Sequence, residues 1–186
     1  MKTLITAAAL ALFTAAPAAA QAPTQGAGDT GPSAVAGVRE LWQTSRDYIL
    51  GAAQQVPEAD YGYRPAPEVR SMGQLFAHVA ASQRMLCAMA LGERNDFGAA
   101  GSSKAEIIAA LRASNDYCAR AYAGSDRDAA RLAPPSDSIS ASLLGGSHTR
   151  FYVLAMNAWH DSEHYGNIVT YMRLKGMVPP SSQPKP

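Results

Sequence analysis

Apolar side chains recur at three- and four-residue steps in four separate stretches of the chain, and each stretch predicts an amphipathic helix. The first covers 33–55, with Val35, Val38, Leu41, Trp42, Ser45, Ile49 and Ala52 on one side, Ser33 placed to cap its start and Pro57 just beyond its end. The second begins at Ser71, where Ser71 and Gln74 have the spacing of a capping box, carries Met72, Leu75, Phe76, Val79, Leu86 and Met89, and stops at Gly92. The third repeats that start with Ser103 and Glu106, places Ile107, Ile108, Leu111, Tyr117, Cys118 and Tyr122 inward, and runs out near Gly124. The fourth spans 149–176, with Leu154, Ala158, Ile168, Tyr171, Met172 and Leu174 on its apolar side and Gly176 at its end.

The connections are less regular. Residues 58–70 hold two prolines preceded by two tyrosines and read as an ordered loop. Residues 125–147 are long and polar; only Ile139, Leu143 and Leu144 look able to pack, and a loop of that length is expected to lie over one end of the domain. A short antiparallel pair within 136–144 stays open, and no other stretch suggests a strand. Four long amphipathic helices make the fold class all-α, with a four-helix bundle as the leading architecture.

The ends of the chain change the picture of its surroundings. Residues 1–20 have a basic start, a short apolar run and an A-x-A pattern at Ala18–Ala20, as a cleaved secretory leader has. Residues 21–32 contain nothing larger than Ala, Pro, Thr or Gln to bury and read as a disordered tether; 33–178 is the length of one domain, and 179–186 is expected to be a flexible tail. The chain is therefore expected to be exported, periplasmic or secreted, with no membrane contact once the leader is removed. Loss of Lys2 with the leader leaves Lys plus Arg equal to Asp plus Glu. A neutral chain has no basic face for nucleic acid or for an acidic membrane.

The candidate chemistry sits on histidines. There are four, His78, His148, His160 and His164. His160 and His164, four apart on one helix, stack on one face a turn apart and can share a metal ion. His78, on the second helix, is the candidate third ligand; the plainer reading is three hydrogen-bonded side chains. Neutral imidazoles suit a divalent ion such as zinc, nickel or iron, and three protein ligands leave a position for water or substrate. Glu163 and Asp161 flank the pair. Glu163, at i+3 from His160, is the candidate catalytic base, whereas Asp161 is expected to point more to the side. The run 160–164 also matches H-x-x-E-H, but that protease pattern needs a later acidic ligand, and no Asp or Glu follows Glu163. His148, at the entry to the fourth helix, reads as a cap residue or as part of the site's mouth.

Arg64-Pro65, then Ser-x-Gly-Gln-Leu-x-x-His over 71–78, then His-x-x-x-His-x-Gly-Asn-x-x-x-Tyr-x-Arg-x-x-Gly over 160–176 together resemble the DinB-like superfamily. The resemblance implies an up-down-down-up bundle and a divalent metal held by His78, His160 and His164. Tyr165 and Asn167 depart from the family's usual residues beside the ligands. With the second and third helices parallel, as that topology requires, Cys87 and Cys118 come to a similar height, so a disulfide between them is expected; two reduced core cysteines remain the alternative. The family implies a metal-dependent hydrolase or transferase-like enzyme, often dimeric, acting on a small molecule. A non-catalytic exported metal- or ligand-binding bundle is the alternative. Tyr61, Tyr63 and Arg64, with the 125–147 loop, are the expected substrate contacts.

Overall fold

A computed structural model of the chain describes residues 33–96 and 98–184; the expected leader and tether lie outside the described residues. The four long helices are α1 (Ala34–Gln55), α2 (Met72–Leu91), α3 (Lys104–Tyr122) and α6 (Arg150–Leu174). Both capping boxes form: Ser71 with Gln74 at α2 and Ser103 with Glu106 at α3. Gly92 closes α2 with φ 72°, a left-handed conformation that costs glycine nothing. The cap of α1 has a second part. Ser33 Oγ donates to Asp126 at 2.6 Å, and the amides of Ala34 and Val35 donate to the same carboxylate, so the loop after α3 completes the start of α1.

Contacts between helix ends set their directions. Lys104, at the start of α3, donates to the carbonyls of Gln54 and Val56 at the end of α1, so those two helices are antiparallel. Gln83 meets Ser114, and Cys87 is bonded to Cys118 with Cα atoms 5.3 Å apart, so α2 and α3 are parallel. Arg150, opening α6, donates to Ala90 near the end of α2, and Tyr171 near the end of α6 donates to Arg70 before α2. The order is therefore up, down, down, up, and it brings α6 against both α1 and α2. The disulfide closes a separation of 31 residues, which in the chain-entropy picture stabilises the fold by about 3–4 kcal/mol.

The long connection before α6 is structured. It holds α4 (Asp126–Ala129), β1 (Leu132–Ala133), α5 (Ser138–Leu144) and β2 (His148–Thr149). The strand pair left open within 136–144 is not there. Asp137 caps that segment as a helix, with Ser140 returning the bond, and the antiparallel pair joins β1 to β2 instead. The tail is also corrected through residue 184. Pro180–Ser182 forms a 3-10 turn against Gly51, Ser181 bonds the Tyr165 hydroxyl, and Gln183 reaches Gln55. Gly51 on α1, the Tyr165 hydroxyl and the Gln55 amide give this short segment a seat that its own sequence does not announce.

The core has two apolar clusters stacked along the bundle. One gathers Trp42, Leu86, Met89, Tyr122, Val153 and Leu154 around the disulfide, with Trp42 and Tyr122 stacked at 4.4 Å. The other gathers Ile49, Phe76, Val79, Ile107, Leu111, Ile168 and Met172. Between them every long helix contributes a buried polar residue: Ser45, Gln83, Ser114 with Asn115, and Asp161 with His164.

Candidate metal centre

The polar layer is where α2 and α6 bring their histidines together. His160 Nε2 lies 3.2 Å from His78 Nε2 and 3.0 Å from His164 Nε2. One nitrogen from each ring falls within 4.8 Å of the other two. A single ring nitrogen has one proton or one lone pair, so His160 Nε2 can satisfy only one of its two neighbours by hydrogen bonding. A divalent cation satisfies all three. Tetrahedral zinc, with bonds of about 2.0–2.1 Å, sets its ligand nitrogens roughly 3.3–3.4 Å apart, close to the two short separations here. The donor set thus fits a transition-metal ion.

Electrostatics favour ligation. Burial, with Arg70 and the other histidines adding to it, holds His78 down at about 4; burial and His160 hold His164 at about 4 as well. Both imidazoles are therefore neutral near pH 7, with lone pairs available to a cation.

Behind His160 stands a hydrogen-bonded chain. Asp161 is 0% exposed. Its Oδ2 accepts from Gln83 Nε2 at 2.7 Å, and Gln83 Oε1 accepts from the Ser114 hydroxyl at 2.8 Å. Its other oxygen faces His160 Nδ1 at 4.0 Å, too far for a hydrogen bond, and neither of those buried atoms has a hydrogen-bond partner. Burial pushes the Asp161 carboxyl above its usual range, against the nearby His160 and the hydrogen bond from Gln83. A carboxylate facing Nδ1 favours the tautomer that leaves Nε2 free for a metal. Asp161 was expected to point aside; it is instead the deepest carboxylate of the layer, because α6 turns its polar position inward onto Gln83. Glu163, the candidate base, is exposed on α6, near enough for its charge to favour the protonated form of His164.

Two cavities meet the histidines. One of about 620 Å³ is bordered by His78 and His160, by Met85 and Leu86 of α2, by Tyr152, Met156 and Trp159 of α6, and by Ile139, Leu143 and Leu144 of α5. The other, about 480 Å³, is bordered by His164, Asn167, Tyr171 and the loop residues Glu68, Val69 and Arg70. Asn167 lies 3.5 Å from His164 Nδ1, beside the ligands, whereas Tyr165 turns away to stack on Tyr48 and hold the tail.

The expected substrate contacts of the 58–70 loop are structural. Tyr61 is buried with its hydroxyl on the Ala53 carbonyl, Tyr63 packs edge-on against Tyr171, and Arg64 bonds Gln74. None of the three borders either cavity. Arg70, six residues further on, does. His148 is tied to the Leu144 carbonyl at 2.7 Å and stacks on Tyr152, so it backs the larger cavity without lining it. Gln83, Ser114, Met156 and Trp159 are the participants that sequence reasoning missed.

The fold and site define an all-α helical bundle with three histidines, from its second and last long helices, that converge so that they could hold a metal ion. A sequence model of the DinB superfamily matches residues 41–168, most of the domain, and the chain belongs to that superfamily. Two solved structures share the fold. A DinB-like protein from Bacillus cereus is 15% identical with a TM-score of 0.63, covering 77% of this chain and 94% of its own. A DinB-like protein from Bacillus subtilis, YjoA, is 16% identical with a TM-score of 0.62, covering 81% and 99%. No curated protein matches the chain.

Proposed function

We propose that this DinB-superfamily protein is an exported metal-dependent enzyme, hydrolase or transferase-like, that acts on a small molecule at His78, His160 and His164. The observation that carries the reading is the convergence of three ring nitrogens, two from imidazoles held neutral, at the edge of a cavity large enough for a small molecule. Among the described residues no fourth His, Cys, Asp or Glu joins the group. A non-catalytic metal holder favours a closed coordination shell, and an open position favours catalysis. A divalent ion held there supplies a Lewis acid and lowers the pKa of a bound water. The chain's own residues do the rest: Asp161, braced by Gln83 and Ser114, orients His160, while the α5 segment forms an apolar wall of the larger cavity. Glu163 is the candidate proton acceptor on the exposed flank.

Export is supported by the leader pattern and by the Cys87–Cys118 bond, which suits an oxidising compartment. No helix among the described residues is long and apolar enough to cross a membrane.

The test is the metal content of mature protein purified without a metal-affinity column, beside a His160→Ala/His164→Ala variant. About one equivalent in the native chain, lost in the variant, is the expected result. No metal in either, even after soaking with zinc or nickel, makes the histidines structural and leaves only the fold.

A further inference from the structure

The two cavities differ in one respect that bears on substrate. The smaller one holds Glu68 and Arg70, and among the described residues no ion pair engages that arginine. Among the described residues the larger one has no Asp, Glu, Lys or Arg on its wall; apart from its two histidines, its polar groups are those of Ser82 and Asn95, the Tyr152 hydroxyl and the Trp159 indole N–H. A charged ligand body placed there loses its hydration with no counter-charge in return. An apolar body gains by covering side chains that the fold leaves open to water.

Those side chains are many. On α5, Ile139 and Leu143 stand one helical turn apart, each 66% exposed, and across from them Trp159 is 59% exposed. Solvated apolar groups scattered singly need no explanation, but these share one concave wall, as ligand sites do. The wall is held in place. Asn95 donates to Asp137 at 2.7 Å, fixing the cap of α5, and Ser136 donates to the Met85 carbonyl at 3.1 Å, pinning the approach to it onto α2. Trp159 immediately precedes His160 in the chain, so the apolar wall and the histidine centre are continuous.

We infer that the cavity under α5 binds an uncharged small molecule with an aromatic or branched apolar body that presents a single Lewis-basic group to the His78–His160 edge. The assignment rests on the metal reading above for the Lewis-basic end, and on the wall alone for the apolar body. Flat aromatic and adaptable thioether side chains, Trp159 with Met85 and Met156, suit a flat or irregular hydrocarbon frame.

The probes are acetohydroxamate and benzohydroxamate, which share one metal-binding group and differ in their apolar body, titrated by calorimetry into zinc-loaded protein and into a Leu143→Asp variant. Leu143 is exposed, so the substitution leaves the core intact, and zinc content and circular dichroism check this. The expected result is benzohydroxamate at least tenfold tighter than acetohydroxamate in the native protein, with the ratio falling to within twofold in the variant at the same zinc content. Equal affinities in the native protein overturn the proposal, as does a ratio that survives Leu143→Asp. So does a variant that only converts a dimer to a monomer, which would make this face a contact between copies. If the chain takes up no zinc, the metal reading falls by itself. Fluorescence of 2-naphthol with the metal-free protein then decides the cavity: binding that Leu143→Asp weakens tenfold supports the apolar site, and no binding overturns it.

Discussion

The apolar clusters and the polar layer between them are built by opposite rules. In the cluster around Phe76, the aliphatic side chains and the phenyl ring are held by contact alone. Phe76, Ile49, Val79, Ile168 and Met172 are all buried completely and ask nothing of their neighbours beyond shape. In the layer, each buried group depends on a particular partner. Gln83 is 0% exposed because Ser114 and Asp161 take both ends of its amide, and Asp161 is tolerable because Gln83 and His160 face it. The first kind of region makes stability. The second gives up stability to hold a few groups in one orientation, and that orientation is what a metal centre requires.

Removing a member of a cluster should therefore damage the fold and spare the site. Phe76→Ala deletes a fully buried ring that packs against Tyr61 at 5.7 Å. Such truncations cost about 3–5 kcal/mol, so the midpoint of thermal unfolding is expected to fall by roughly 10 °C or more in a domain of this size. Metal stoichiometry at a temperature where the variant remains folded should stay at the native value. Calorimetric melting beside metal analysis checks both halves; loss of metal from the folded variant would show that the cluster and the layer are not separable.

The converse change should move the site more than the fold. Asp161→Ala leaves Gln83 Nε2 without its acceptor and removes the carboxylate that faces His160 Nδ1. Loss of such an orienting partner lowers metal affinity by about 10–100-fold. Asp161→Asn is expected to recover most of that loss. If the Gln83 amide turns over, the introduced carboxamide can donate to it, the carboxamide oxygen still faces His160 Nδ1, and the Ser114 hydroxyl can accept in turn. Competition with a chromophoric chelator measures the two affinities. A purely structural role predicts the opposite pattern: a lowered melting temperature in both variants with metal affinity unmoved.

The contrast also explains what could be read in the sequence. The clusters were legible because periodicity reports burial by contact, and the capping boxes at Ser71 and Ser103 were legible because their chemistry is local. Even so, Leu41 and Leu174, which the periodicity assigns to the core, are 65% and 60% exposed, since they lie at the edges of their helical stripes. The histidines were legible through the spacing of His160 and His164, and His78 through its motif. The layer was not. Gln83, Ser114 and Asp161 each look like solvent-facing residues until α2, α3 and α6 meet at one height, and no local pattern encodes that meeting. The Asp126 cap on α1 stayed hidden for the same reason, because its partners are more than ninety residues away. Helix α5 was missed because seven residues with three exposed or half-exposed apolar side chains do not show a buried stripe.

Glu163 gives the smallest expected effect and separates the two flanks of α6. It sits two residues from Asp161 on the same helix but is exposed, whereas Asp161 is sealed. Its influence reaches His164 through space, and water and salt weaken a charge acting from an exposed position. Glu163→Gln removes a negative charge beside the cation site, so metal affinity should fall by no more than about threefold, with stability within about 0.5 kcal/mol of native. The shift should shrink further at high salt, unlike the loss in Asp161→Ala, which comes from a broken buried contact. Chelator competition at low and high salt makes that distinction. If turnover on an identified substrate also dropped tenfold or more while metal was retained, the carboxylate would be acting on a reacting proton, and the exposed flank of α6 would belong to the chemistry as fully as the buried one.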